Sequence, residues 1–269
     1  MSLSISGKTA IVTGAAHGIG LAIARHFIDR GAQVMFADID EARLADELGT
    51  EAKSDGPARY FAGDLCQKLT VNNLLSATID AFERIDILVN AARCIQVSDP
   101  LDPAQTVLDD MLQLNMKGML RMSQMTAKRM ISHAEQDGRR GEEIGAIVNI
   151  STPANASTQP ELLAYSIACA AQEQATRGLA VALAPHGIRV NGVAFASVMS
   201  ASLQNQLKEH GDWRDAMTDG TPLGRIAAPG ELTHTVQYLA SPGAGFVTGQ
   251  IVTVDGGRGL GDAVRVPAF

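Results

Sequence analysis

Short runs of apolar residues recur along the chain, at Thr9–Thr13, Gln33–Ala37, Ile85–Val89, Ala146–Ile150, Ile188–Val193 and Ile251–Val254. Each is rich in valine, isoleucine or alanine and is continuous rather than alternating, which predicts strands buried on both faces. Longer stretches of helical character separate them, among them Leu21–Asp29 and Leu162–Ala184. Strands and helices in that alternation predict an α/β fold, a doubly wound parallel sheet with helices on both sides. Ligands of such sheets bind outside the carboxyl ends of the strands, so the residues just after each run are the first candidates for chemistry.

No internal repeat or linker divides the 269 residues, and 46% hydrophobic content suits one sizeable core, so a single domain is expected over 1–269. His133–Glu143 (HAEQDGRRGEE) is polar and punctuated by glycine, and reads as an exposed loop. The segment 197–221, whose Leu203–Thr221 stretch carries the sole tryptophan, Trp213, reads as a helical lid over the pocket. The formal net charge of −7 offers no basic face to nucleic acid, and no Lys/Arg-rich amphipathic stretch suggests membrane binding. Three widely spaced cysteines, Cys66, Cys94 and Cys169, imply neither a disulfide framework nor a CxxC metal site. The six histidines show no ligand spacing, so no metal is expected. With no leader-like or membrane-spanning segment apparent, a cytoplasmic protein with small-molecule partners is expected.

The first strand runs straight into Thr13-Gly14-Ala15-Ala16-His17-Gly18-Ile19-Gly20, which opens a helix. Glycines let such a loop turn tightly and bring its backbone to a pyrophosphate, while the helix amino end supplies free N–H groups and a favourable dipole. An ordinary glycine-rich turn would look the same in isolation. Eighteen residues past Gly20, however, Asp38 ends the second strand, where a carboxylate can accept hydrogen bonds from adenosine ribose hydroxyls and repel a 2′-phosphate. NAD is therefore expected over NADP. Asp64-Leu65 follows the third strand and Asn90-Ala91-Ala92 the fourth, either as adenine and ribose contacts or as polar loop residues capping helices.

Taken together, TGAAHGIG, Asp38, Asp64, Asn115 in LQLNMKG, and the later PLGRIAAPGEL, YLAS and TGQIVTVDGG resemble the short-chain dehydrogenase/reductase family from Gly7 to Gly257. The resemblance implies a Rossmann fold and a nicotinamide cofactor held at Gly14, His17, Gly18, Ile19, Gly20, Asp38, Ile39, Asp64, Leu65, Asn90, Ala91, Ala92, Tyr165 and Val198. It also implies a homo-oligomer, with Leu162–Ala184 as a helix of the kind that packs between subunits, although core packing would explain the same pattern.

The catalytic end departs from the family. The resemblance implies that Tyr165 carries the proton, that Thr152, thirteen residues earlier, hydrogen-bonds the substrate oxygen with Ser151 as a fallback, and that Asn115 supports a water relay. Where the family's lysine would lower the tyrosine pKa, this chain has Cys169. An unassisted phenol of pKa near 10 is only about 0.1% ionised at pH 7, and losing a three-unit shift removes about 4 kcal/mol of base strength. Arg93 and Phe195 replace the family's glycine and proline near the nicotinamide position, and Ser200 replaces a threonine. Arg93 either swings toward Tyr165 as a substitute cation, points into solvent, or pairs with a carboxylate such as Asp99. A thiol-based role for Cys94 and Cys169 competes with their being small buried hydrophobes. Two functions follow from this reading: an NAD-dependent oxidoreductase with an impaired or remodelled site, or a non-catalytic NAD(H)-binding pseudoenzyme or sensor.

Overall fold

The apolar runs form the strands of one parallel sheet in the computed structural model of the chain, which describes residues 2–49, 56–103, 107–139, 142–155 and 159–261. In chain order the main elements are β1 (Thr9–Thr13), α1 (Gly18–Asp29), β2 (Gln33–Asp38), α2 (Glu41–Leu48), β3 (Ala58–Ala62), α3 (Lys68–Phe82), β4 (Ile87–Asn90) and α4 (Val107–Met111). A π-helical segment (Leu112–Gly118) follows, then α5 (Met119–Gln136), β5 (Gly145–Ser151), α6 (Leu163–Leu183), β6 (Ile188–Phe195), α7 (Ala201–Glu209), α8 (Trp213–Asp219), α9 (Pro229–Ala240) and β7 (Ile251–Val254). The strand order is β3-β2-β1-β4-β5-β6-β7, with every neighbouring pair parallel. The chain builds outward in one direction to β3 and then in the other from β4, so a crevice opens at the carboxyl ends of β1 and β4. No helix among the described residues is long and apolar enough to cross a membrane.

Strand alternation sorts the core into two layers. Ala10, Val12, Val34, Phe36, Val89, Val148, Ile150 and Val193 point to the side covered by α1, α2 and α9, where Ile23, Phe27, Leu44 and Leu232 meet them. The intervening Ile11, Met35, Leu88, Ile147 and Val190 point to the other side, against Leu74 and Leu75 of α3 and Met122 and Met130 of α5. Both sets are buried, which is why the strands read as unbroken apolar runs.

The polar face of that second layer is occupied by a relay of amides. Asn90 Nδ2 donates to Asn149 Oδ1 (2.8 Å) and to Ser123 Oγ (3.0 Å), and Asn149 Nδ2 donates to Thr176 Oγ1 (2.8 Å). The relay ties β4, β5, α5 and α6 together behind the crevice. Asn149→Ala is expected to remove one hydrogen bond from Asn90, which keeps Ser123, and one from Thr176, which keeps the Gln172 carbonyl, and to lower stability by about 2 kcal/mol, seen as a fall of several degrees in the thermal midpoint. An unchanged midpoint would show that water replaces the amide.

Some boundaries differ from the sequence expectation for packing reasons. β2 ends at Asp38 as expected, paired with Ala62, whereas β6 runs on past Val193 to Phe195 because β7 keeps pairing with it, Phe195 with Val254. The stretch His133–Glu143 is not a loop throughout: α5 continues to Gln136, since Ala134 is still buried against the core. The turn comes at Asp137-Gly138, where Gly138 adopts φ +71°. Positions 140 and 141 of that stretch lie outside the described residues.

Candidate active site

The turn after β1 is built by close approach. A Cβ on Gly14 would stand 2.7 Å from both the Cα and the N of Ala92, and Gly14 has φ +68°, so only glycine fits. A Cβ on Gly20 would fall on the Gly14 carbonyl, which brings the start of α1 down onto the turn. Thr13, level with Asn90 across the sheet, locks the neighbouring loop, its Oγ1 accepting the N–H groups of Ala91 and Ala92 at 3.1 Å each. Sequence reading missed this role, although a threonine directly before the first glycine is its visible signal.

The amino end of α1 is left open. His17 occupies the cap position with an extended backbone and no side-chain hydrogen bond, and the first turn contains no acidic residue. By contrast Asp40 caps α2 by accepting from Arg43 N, and Ser200 caps α7 by accepting from Leu203 N. An uncapped helix start with free N–H groups and no competing carboxylate is a receptor for an anion.

Asp38 is buried at the edge of the same crevice. Its Oδ2 accepts from Ala16 N (3.0 Å), and its Oδ1 accepts from Ile39 N (2.7 Å) and Asp40 N (3.1 Å). The carboxylate is thereby oriented and still has lone pairs for further donors. Beside it Ile39 is 72% exposed, an apolar side chain without cover. Asp64 accepts from Cys66 N (2.8 Å) and from Gln67 Nε2 (3.3 Å), so its carboxylate caps the turn before α3 while also lining the crevice.

A cavity of about 440 Å³ joins these features. Gly14, His17, Gly18, Ile19, Gly20, Asp38, Ile39, Asp64, Leu65, Asn90, Ala91 and Ala92 all line it, and it continues past Arg93 and Cys94 to Ser200. These residues fit a dinucleotide: a glycine turn a Cβ would fill, an uncapped helix for the pyrophosphate, a fixed carboxylate for the ribose and exposed Ile39 for the adenine face. Asn90 borders the cavity but its side-chain amide belongs to the relay described above, because alternation along β4 turns it toward α5. Val198 does not line the cavity; it is buried in the core and bridges to Ala227. Of the segment 197–221, Ser200 lines it.

Tyr165 and Thr152 are not among the lining residues. Tyr165 is 3% exposed, packed with Met111, Ala164, Ala168 and Cys169, with Cys94, Leu112 and Leu162 against them. One turn of α6 separates it from Cys169, so the two side chains share a face and interact. Ser151, buried and without a partner in hydrogen-bond geometry, is close enough to the Cys169 thiol to favour its thiolate. Burial pushes the Tyr165 phenol well above the ordinary tyrosine range; the Arg93 charge pulls it down, and Cys169 pushes it up again. Burial likewise raises the Cys169 thiol, which outweighs the help of Tyr165 and Ser151, so this cysteine is neutral near pH 7.

Asn115 lies buried within the π-helical segment, a departure from α-geometry of the kind often found at functional sites. Its Oδ1 accepts from Cys94 N (2.8 Å) and its Nδ2 donates to Cys94 O (2.9 Å). The side chain is a clamp on the loop after β4, so the implied water relay would have to use its main chain. Arg93 sits in that loop with its guanidinium over the Phe195 ring, 4.6 Å from the centroid. Among the described residues no ion pair joins it to Asp99, whose Oδ1 accepts from Leu101 N.

A family model described as enoyl-(acyl carrier protein) reductase matches residues 14–258. The chain belongs to the short-chain dehydrogenase/reductase family. It is 30% identical over 266 residues to galactitol 2-dehydrogenase of Agrobacterium fabrum, covering 95% of this chain and 99% of that one. L-fucose dehydrogenase of Mus musculus is 31% identical over 263 residues, covering 95% and 90% respectively. The crystal structure of gox2181 superposes with a TM-score of 0.84 at 30% identity, covering 96% of this chain and 98% of that one. As a member of this oxidoreductase family the chain is expected to use a nicotinamide cofactor and a small-molecule substrate, and its fold is the family's Rossmann-type sheet.

Proposed function

We propose that this chain is an NAD-dependent dehydrogenase that interconverts an alcohol and a carbonyl compound, with slow proton transfer. The observation that carries the reading is the continuity of one cavity from the glycine turn, past Asp38 and Ile39, to Arg93 and Ser200. A bound nicotinamide would supply the hydride chemistry at the substrate carbon. Tyr165 exchanges the proton: in the reducing direction its O–H bond breaks and the proton passes to the substrate oxygen. Thr152, half-buried just past β5, supplies a hydroxyl to hold that oxygen. Asn115 fixes the loop that carries Arg93. The slowness follows from Cys169, which supplies no charge, and from the burial of Tyr165. The galactitol and L-fucose dehydrogenases among the relatives support a polyhydroxylated substrate.

NADH is titrated by fluorescence, and the nicotinamide absorbance is then followed with galactitol, L-fucose, simple secondary alcohols and ketones. Turnover of any one supports the proposal; failure to bind NADH refutes it. Binding without turnover gives the second reading, a non-catalytic NAD(H)-binding subunit, which the burial of Tyr165 favours.

The preference for NAD rests on Asp38. Asp38→Asn keeps an acceptor for the Ala16 N–H while removing the charge that opposes a 2′-phosphate. The ratio of NADH to NADPH affinity is expected to fall about tenfold, roughly 1.4 kcal/mol, in parallel titrations. An unaltered ratio would mean that another group sets the preference.

A further inference from the structure

The loop after β4 places a cation beside a buried phenol and gives it a rigid seat. On one side of Arg93, the N–H groups of Ala91 and Ala92 donate to Thr13 Oγ1 at 3.1 Å. On the other, Cys94 is gripped through both its N–H and its carbonyl by the Asn115 amide. The Arg93 backbone is therefore fixed from both flanks. Its guanidinium lies 4.6 Å from the centroid of Phe195, a buried ring held at the end of β6 by pairing with Val254. An aromatic face at that distance attracts a guanidinium and restricts its rotamers. Among the described residues Arg93 has no carboxylate partner to neutralise it, and Asp99 is engaged elsewhere.

Arg93 and Phe195 are the two large residues that stand where the family has glycine and proline, and in the fold they are one stacked unit. Cys94, next in sequence, packs against the cluster that holds Tyr165 and Cys169, and from that seat the Arg93 charge favours the ionised form of both. The titratable and charged groups around the phenol are Arg93 and Cys94 from the loop after β4 and Cys169 from α6, with Glu173 of α6 acting on Cys169. Arg93 is the cation of that set, and it is also a lining residue of the cavity.

We propose that Arg93, seated on the Phe195 ring, is the cation that stabilises the deprotonated form of Tyr165, doing from the loop after β4 what a lysine at position 169 would do from α6. It is a positioning residue that acts through the phenol. The consequence for catalysis rests on the proton-carrier reading of Tyr165; the electrostatic pairing itself does not.

The test reads Tyr165 directly. Ring-fluorinated tyrosine is incorporated in place of the three tyrosines, Tyr60, Tyr165 and Tyr238, which lowers the pH of phenol titration. Fluorine NMR then follows each resonance with pH in the NADH-bound and free protein, and Tyr165→Phe identifies the signal. Arg93→Gln is expected to move the Tyr165 midpoint upward by roughly one pH unit or more, a tenfold or greater loss of phenolate at a given pH. Arg93→Lys is expected to restore most of it, and Phe195→Leu, which unseats the guanidinium, to give an intermediate shift. If turnover is measurable, the rising limb of kcat/KM with pH should move in step with the NMR midpoint. A Tyr165 midpoint unmoved in Arg93→Gln overturns the proposal, as does an effect confined to KM. Because the midpoint needs no substrate, a shifted midpoint without turnover removes only the dehydrogenase reading, whereas turnover with an unmoved midpoint removes only the role of Arg93.

Discussion

Replacing Cys169 by lysine is expected to raise kcat/KM by on the order of 10²-fold on whichever alcohol or carbonyl the native chain turns over. The reason is electrostatic. Tyr165 lies in an apolar cluster where burial opposes its ionisation, and the neighbouring thiol opposes it further, while Arg93 offsets only part of this. An ammonium one helical turn away on the same face of α6 would act directly on the phenolic oxygen, and each pH unit by which the phenol falls is worth a factor of ten in phenolate. Two effects work against the gain. Lysine adds three heavy atoms to a site that is 2% exposed, and overpacking of that kind costs roughly 1–3 kcal/mol. Its ammonium would also share the neighbourhood with Arg93, so burial and the like charge would lower its own pKa. The double variant Arg93→Gly/Cys169→Lys separates these contributions, because it relieves the repulsion and opens the loop together. A gain in either variant, with NADH affinity held, shows that the rest of the site is competent. No gain in both, with NADH still bound, would show that charge is not the missing factor.

Gly20→Ala is expected to weaken NADH binding by at least 100-fold, about 3 kcal/mol. The methyl group would fall on the Gly14 carbonyl, with the carbonyl carbon 2.6 Å away. Gly14 cannot retreat, because its other side is pressed against the Ala91-Ala92 backbone and its φ of +68° is already one that only glycine holds easily. The start of α1 must therefore lift off the turn, which moves the free N–H groups away from the pyrophosphate position. Gly178→Ala in α6 is the control: a Cβ there meets nothing within 4 Å, so affinity should hold and stability should rise by up to about 1 kcal/mol. Wild-type affinity in Gly20→Ala would mean that the nucleotide is held elsewhere.

Much of this molecule was legible from residue order. Strands buried on both faces appear as unbroken runs such as Thr9-Ala10-Ile11-Val12-Thr13, and their spacing around helical stretches gives the doubly wound sheet. Twelve of the fourteen cavity-lining residues from Gly14 to Ala92 were legible for a related reason: in this topology residues just after the carboxyl ends of β1, β2, β3 and β4 border the same crevice, so position in sequence stands in for position in space. Less was legible where side-chain direction matters. Asn90 looks like a cofactor contact, but alternation along β4 gives its amide to Asn149 and Ser123. Asp64 had two readings, and its carboxylate caps a turn while bordering the cavity.

By itself the sequence determined the sheet, the glycine turn after β1 and the absence of a lysine at position 169, because each depends on local residue types at fixed spacing. Tertiary structure decided what became of that absence. Arg93 and Phe195 are 102 residues apart, and nothing local says that they stack, that Thr13 and Asn115 hold the loop between them, or that this loop packs against the cluster around Tyr165. A charge acts through distance in space, so which cation serves a phenol is fixed only when β4, β6 and α6 are packed side by side.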